Sequence, residues 1–427
     1  MLTVGSAAAD FKVEPKAGGL KVWKENSPYW FKVGGFFQAD EAMYFGSETD
    51  KKNDFPSGAK VRRARLSVSG GIAQDWTYGF TYDFTQKVII EAALYNSNSL
   101  GDFGIGAQGV SFGLSNSGSS KDLVFLEDSV ASNNFAPDDI LGLTFNTQLS
   151  DMFTLQTALG HPNANSTLKH SSTDGAEALA ANSENGYKSQ RVAVLARLAF
   201  SPVHTEDTAY HIGASVYHQG LAATAVDGNP VGYSPLSVKP DITTRNTGTL
   251  IAVPSSAVGN SAGVDAGRDR YSFFHHYVGE LGAGWGPLVL SGEYFTTKHR
   301  RPWSNQGDAH FKGHHVQVSY VLTGETRPYD NASKTFGRPS PNTECGAWEV
   351  ALRHAAINLN SKNVRGGKVN GSTTLGVNWY YTDNLRFAAN YSHTRWTPVN
   401  DVTVTQSRYD LPKRSINALG LRAQWVF

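Results

Sequence analysis

The chain has 427 residues, 40% of them hydrophobic, with 38 basic against 37 acidic side chains; it is long enough for several soluble domains, yet no hinge or charge block divides it, and its near-neutral balance gives no support for nucleic-acid binding. One cysteine, Cys345, excludes a disulfide framework and a multi-cysteine metal site. No apolar run approaches the roughly 18 residues of a membrane helix, and a mean hydropathy of -0.35 is what a soluble protein shows, but a barrel whose lipid face uses every second residue gives the same average.

Met1 to Asp10 lacks a basic segment and a long apolar core, so the numbering is expected to begin at or near a mature N-terminus. Residues 1–28, polar from Gly18 to Ser27, are expected to form a periplasmic lead-in, and 29–427 a single barrel domain. Alternation and turn residues predict strands over Tyr29 to Phe45, Val61 to Ile72, Thr77 to Phe84, Val88 to Asn96, Gly104 to Phe112, Ile140 to Leu149, Phe153 to Leu159 and Arg191 to Phe200. They continue over Tyr210 to Gln219, Arg270 to Ala283, Leu288 to Thr297, His314 to Leu322, Ala347 to Leu359, Thr373 to Tyr381, Leu385 to Trp396 and Ser415 to Phe427. The count is sixteen, with Val88 to Asn96 and Gly104 to Phe112 the least regular. An even number returns both termini to one side, as bacterial outer-membrane barrels require.

The last strand is the most informative. Phe427, Trp425, Ala423, Leu421 and Leu419 share one face, and Val426, Gln424, Arg422, Gly420 and Ala418 the other. One face suits lipid and the other water, and the aromatic end suits a membrane interface. Trp23, Trp30, Trp76, Trp285 and Trp379 also lie near turns, as an interfacial girdle would. Short links such as Ser150 to Met152, Gly284 to Pro287 and Thr382 to Asn384 contrast with the long segments Leu114 to Asp138, His161 to Lys188 and Gly220 to Asp269. Short periplasmic turns and long extracellular loops give that contrast; Glu325 to Glu344, long but periplasmic by the count, is the exception. The fold class is therefore all-β, a 16-stranded antiparallel transmembrane β-barrel.

Several stretches resemble the phosphate-selective porin O/P family. Val61 to Phe84 (VRRARLSVSGGIAQDWTYGFTYDF) is similar to its second hairpin, Val110 to Leu143 to the strand leading into the third loop, and Tyr320 to Tyr329 (YVLTGETRPY) with Gly346 to Leu359 (GAWEVALRHAAINL) to later strands. Val377 to Tyr391 continues the resemblance into the terminal strand. It implies a homotrimer of porins in the bacterial outer membrane, an inward-folded third loop, a long periplasmic link and passive solute transport.

A porin selects by the width and charge of its narrowest section, and arginine suits phosphate oxygens. If Leu66 and Val68 face lipid, Arg63 and Arg65 face the lumen, with Arg62 at the rim or turned by a bulge. Arg191, Arg197, Arg353, Arg386 and Arg422 lie on the polar phase of their strands, giving either an arginine wall or scattered charges paired with Glu293, Glu349 and others. Where anion-selective relatives carry basic residues after the Ala-Pro of the third loop, this chain has Asp138 and Asp139. Placed in the constriction, they would oppose Arg62, Arg63 and Arg65 and favour general diffusion of small hydrophilic solutes and ions. A phosphate or polyphosphate channel is the alternative, and a lipid hydrolase or a surface binding protein the more distant ones. His275 with His276, and His314 with His315, split between two faces of a strand and cannot jointly chelate a metal. No nucleophile elbow is present and an inert thiol is the default for Cys345, so no catalysis and no cofactor are expected, and outer-membrane lipid is the surrounding partner.

Overall fold

The computed structural model describes residues 11–16, 18–46, 55–137, 139–162, 192–220, 224–226, 229–231, 236–243, 247–253, 273–300, 307–362, 364–398 and 414–427. Among them one sheet of eighteen strands contains the barrel. Two strands form a leading hairpin, Phe11–Lys16 and Gly19–Lys24. The other sixteen run, in chain order, Trp30–Phe45, Gly58–Ala73, Trp76–Asp83, Val88–Asn98, Gly101–Gln108, Ile140–Gln148, Phe153–Pro162, Ala193–Phe200, Thr208–Gly220, Phe273–Trp285, Leu288–Arg300, Ala309–Val321, Ala347–Ser361, Val364–Tyr380, Leu385–Thr397 and Arg414–Val426. Each pairs antiparallel with the next, and Arg414–Val426 closes the ring against Trp30–Phe45, Val426 opposite Phe36 and Asn417 opposite Phe45.

Closure explains the leading hairpin. The last strand ends where Gly35 N–H donates to Phe427 O at 2.8 Å and Phe427 N–H to Gly35 O at 3.0 Å. Below that point the edge of Trp30–Phe45 would be bare, an invitation to unwanted pairing. The hairpin covers it, Leu20 opposite Val33 and Trp23 opposite Trp30. The polar lead-in expected from composition is thus an ordered edge cover.

Strand phase sorts the side chains. Outward positions such as Leu143, Ile212, Leu281, Leu352, Leu375 and Leu421 are exposed and apolar, while inward Gln38, Asp40, Glu280, Asn378, Arg422 and Gln424 are buried. An apolar belt this continuous is stable only against lipid. Trp285, Trp348 and Trp425 stand outward near the turns, with Trp348 stacked on Trp379 at 5.3 Å between ring centroids.

Three segments fill the lumen and so bury the inward polar residues. They are the third loop, with short helical turns at Gly113–Asn116 and Ser132–Phe135, the buried Val238, Ile242 and Ile251 of the long loop, and the link after Val321. Boundaries shift for readable reasons. The strand expected to reach Phe112 stops at Gln108, because the chain then turns inward and buries Phe112 near Tyr217 and Phe295. Ala309–Val321 begins earlier than its apolar alternation, since its first outward residues are His310 and Lys312.

Leu421→Arg places a charge in the middle of the outward apolar face. Its expected cost is about 2–4 kcal/mol in unfolding from lipid vesicles. A change under about 0.5 kcal/mol would contradict the outward assignment.

Candidate functional site

The site is the lumen where the third loop crosses it. A loop inside a barrel brings backbone carbonyls away from water, and each needs a donor. The wall supplies them from inward positions of several strands. Gln424 donates to Lys121 O at 3.0 Å, Asn378 and Arg386 to Val124 O at 2.9 and 3.1 Å, Arg422 to Leu126 O at 2.6 Å and Arg353 to Glu127 O at 2.9 Å.

Glu127 is the centre of this arrangement. A register shift between Gln38 and Ala39 makes Arg62 the extra residue of a bulge, so the adjacent Arg62 and Arg63 both turn inward. Arg62 donates to the two Glu127 oxygens at 2.6 and 3.0 Å, Arg63 at 3.4 and 3.1 Å, and Arg422 to Oε1 at 3.0 Å. Arg422 also holds Asp40 through two bonds, at 2.7 and 2.8 Å. Burial raises the Glu127 carboxyl, but the guanidiniums of Arg63, Arg62 and Arg422 outweigh it and hold the group well below the ordinary carboxylate range. Each such pair at about 4 Å is worth roughly 4 kcal/mol at an effective dielectric near 20.

The neighbouring Asp128 responds oppositely. Burial pushes it up to about 6, with Arg353 pulling the other way and Glu127 adding to the rise.

The other expected wall residues are engaged too. Arg65 donates to Asp83 at 2.9 Å. Arg353 lies 3.2 Å from Asp241 of the long loop and stacks over Phe125 at 4.4 Å. Arg386 donates to Asn378 Oδ1 at 2.6 Å. Arg197 forms a bidentate pair with Glu280, 2.9 Å for both bonds, beneath the link carbonyls of Ser333 and Lys334. Glu349 accepts from Arg327 of the same link at 2.5 and 2.9 Å, and from Asn378 and Tyr380. Glu293 receives the backbone N–H groups of Leu114 and Ser115 at 2.7 and 3.3 Å, anchoring the start of the third loop. Asp139 lies at the loop's return to the wall, one residue before the strand Ile140–Gln148, whereas Asp138 and Arg191 fall outside the described residues.

Among the described residues the carboxylate opposite Arg62 and Arg63 is Glu127, which, like Asp40, Asp241, Glu280 and Arg327, is not among the site residues expected from sequence. Asp40 and Glu280 had a signal, since both sit on the inward phase. Glu127 and Asp241 had none, because loop residues carry no strand phase. His275 and His276 do part to opposite faces, as do His314 and His315.

The loop divides the open space. On one side Asp122, Glu127, Asp128, Arg327 and Arg353 line an opening with Ser291 and Gln317; on the other are Lys32, Arg65 and Lys121 with Ser67, Ser69 and Thr81.

A barrel of this strand number with a loop across its lumen is porin architecture, and a family model described as phosphate-selective porin O and P matches residues 31–427. The chain belongs to that family. Porin O of Pseudomonas aeruginosa is 27% identical over 421 residues, covering 91% of this chain and 88% of that protein. The outer membrane channel DcaP of Acinetobacter baumannii superimposes with a TM-score of 0.52 at 12% identity, covering 95% of this chain and 99% of its own. OmpT of Vibrio cholerae gives 0.54 at 11%, covering 94% and 99%. These two structures share the fold. The porin resides in the bacterial outer membrane and passes small hydrophilic solutes and ions by diffusion through its charged lumen.

In this porin Glu127→Gln leaves three guanidiniums without their shared carboxylate. Losing one partner of a buried charge cluster costs about 3–5 kcal/mol, and the reversal potential in a KCl gradient is expected to move toward chloride. Stability and selectivity both unchanged would remove Glu127 from the anchor. Because its folded-state pKa is depressed, its contribution is present above the ordinary carboxylate range and is lost only as pH falls through the lower folded value.

Proposed function

We propose that the porin is a general diffusion channel of weak charge preference, its constriction formed by Glu127 with Arg62, Arg63 and Arg422. The observation that carries this reading is the pairing of the wall: Arg62, Arg63, Arg65, Arg197, Arg353 and Arg422 share five carboxylates, Glu127, Asp83, Glu280, Asp241 and Asp40. Paired arginines set a field across the pore and give a passing anion little net attraction. Passage involves no bond-breaking step. One observation favours the phosphate-selective alternative, the opening lined by Lys32, Arg65 and Lys121 with hydroxyls. Phosphate block of the chloride current at micromolar concentration would establish that alternative. The general reading predicts no such block and a cation-to-anion permeability ratio of order one.

Asp128 gives this reading a pH signature. Its carboxyl is charged above about 6 and protonated below it. As pH falls from about 7 to about 5 Asp128 loses its negative charge and cation preference drops. Asp128→Asn should remove that dependence, and a variant as pH-sensitive as the parent would count against the assignment.

We also propose a homotrimer. Trp76–Asp83, Gly101–Gln108 and Ala193–Phe200 have 8 residues each, against 13 for Phe273–Trp285. At about 3.3 Å per residue and about 45° tilt, 8 residues rise roughly 19 Å, short of the roughly 25 Å apolar band. Exposed Leu94, Phe103, Ile105 and Leu143 of this low wall suit a second copy. Ile105→Arg is expected to convert the heat-modifiable oligomer to monomer on a native gel; an intact oligomer would place the contact elsewhere.

A further inference from the structure

The outward face that continues from the low wall, beginning with the strand paired to Ala193–Phe200, carries a feature that conduction does not use. Across Thr208–Gly220, Phe273–Trp285, Leu288–Arg300 and Ala309–Val321 the register sets His218 opposite His275, His275 opposite Lys298 and Lys298 opposite His310. One row across the wall thus carries four nitrogen-bearing side chains on the outward phase. Arg300 continues it upward and Lys312 and His314 downward on the same face. His218 and His275 approach to 3.2 Å between Nδ1 atoms, and Lys298 and Arg300 share Asp308 at 3.2 and 2.9 Å. Two cations thus hold one carboxylate, and Lys312 lies lower on the same outward face.

Height and shape point to the occupant. Ten residues separate His275 from the interfacial Trp285, a rise of roughly 23 Å at about 45° tilt, so the row lies where the outer headgroups begin. About 9 Å beneath it, past Tyr277 and Thr296, begins an apolar groove on the outer surface, lined by Ile212, Leu281, Leu290, Tyr294 and Val316 and opened by Gly279 and Gly292. A Cβ added at Gly279 would meet nothing within 4 Å. These strands have 13 residues each, enough to cross the band without a second copy to cover them.

We propose that this sector seats a phosphorylated lipid of the outer leaflet, its phosphate on Lys298, Lys312, His275 and His310 and an acyl chain in the groove over Gly279. Basic side chains at a membrane surface attract anionic headgroups, and an apolar slot below them suits a chain attached to that headgroup. The seat rests on the barrel's outer-membrane location and is independent of what the pore selects.

The test is retention of diphosphorylated lipid A by the full-length protein in zwitterionic detergent, read by native mass spectrometry. Lys298→Gln with Lys312→Gln is expected to weaken retention about 10- to 30-fold, and Gly279→Leu to weaken it by filling the groove. Unitary conductance stays at the parental value in both, since the side chains face away from the lumen, and it reports that the barrel is folded. Parental retention by the double variant overturns the proposal. Equal retention of dephosphorylated lipid A overturns it, as does inorganic phosphate binding as tightly as the lipid, which would make the free ion the ligand. An equal drop in Lys368→Gln with Arg395→Gln, exposed on neighbouring strands, would reduce the effect to general charge. A loss of oligomer with lipid retention unchanged would make the face a subunit contact.

Discussion

The third loop stays in the lumen because Glu127 sits among three guanidiniums while wall donors meet the carbonyls on either side of it. Without those partners the loop's backbone would lie inside the barrel unsatisfied, at a cost of about 1–3 kcal/mol per group. With them, crossing the lumen becomes the satisfied state of both loop and wall. The partners come from strands far apart in sequence, Arg62 and Arg63 near one end of the chain and Arg422 at the other. The anchor therefore forms only when the ring closes.

That constraint decides what the arginines can do. A guanidinium that holds a loop carbonyl and a carboxylate together is not available to draw an anion through the pore. The long loop and the periplasmic link obey the same logic from opposite ends, Asp241 taking Arg353 and the link's Arg327 taking Glu349. Arg338 of the link lies 3.5 Å from Asp122 of the third loop, so segments entering from opposite ends of the barrel touch inside it. Lumen width and lumen charge follow from one set of interactions.

The barrel was legible in the sequence because a period of two is unambiguous over strands of eight or more residues, and one face of each is apolar. Arg422 and Gln424 could be placed inward beside outward Trp425 from parity alone. Where the alternation was interrupted, legibility fell. The bulge at Arg62 breaks parity, and the first outward residues of Ala309–Val321 are polar. The site was less legible than the fold, since parity says which way Arg63 points but not what it meets. Asp138 and Asp139 stand out in the sequence by their contrast with relatives, while among the described residues the acid that meets Arg62 and Arg63 is Glu127, placed by a loop path that no local pattern encodes. Asp241 lies on the long loop, where no strand phase marks it, and its role is visible only with Arg353 beside it.

The third loop lies against the wall in the conducting state, and a covalent tie tests this most directly. A Cβ added at Gly313 would stand 2.9 Å from the Ala131 Cβ, about 0.6 Å inside the short end of the roughly 3.5–4.5 Å disulfide range, so the loop must ease outward by that much to form the bond. In a Cys345→Ser background, Ala131→Cys with Gly313→Cys should oxidise to an intramolecular disulfide and leave the unitary conductance at its parental value. Failure to form the bond in the folded barrel, or a conductance that changes when it forms, would contradict the account.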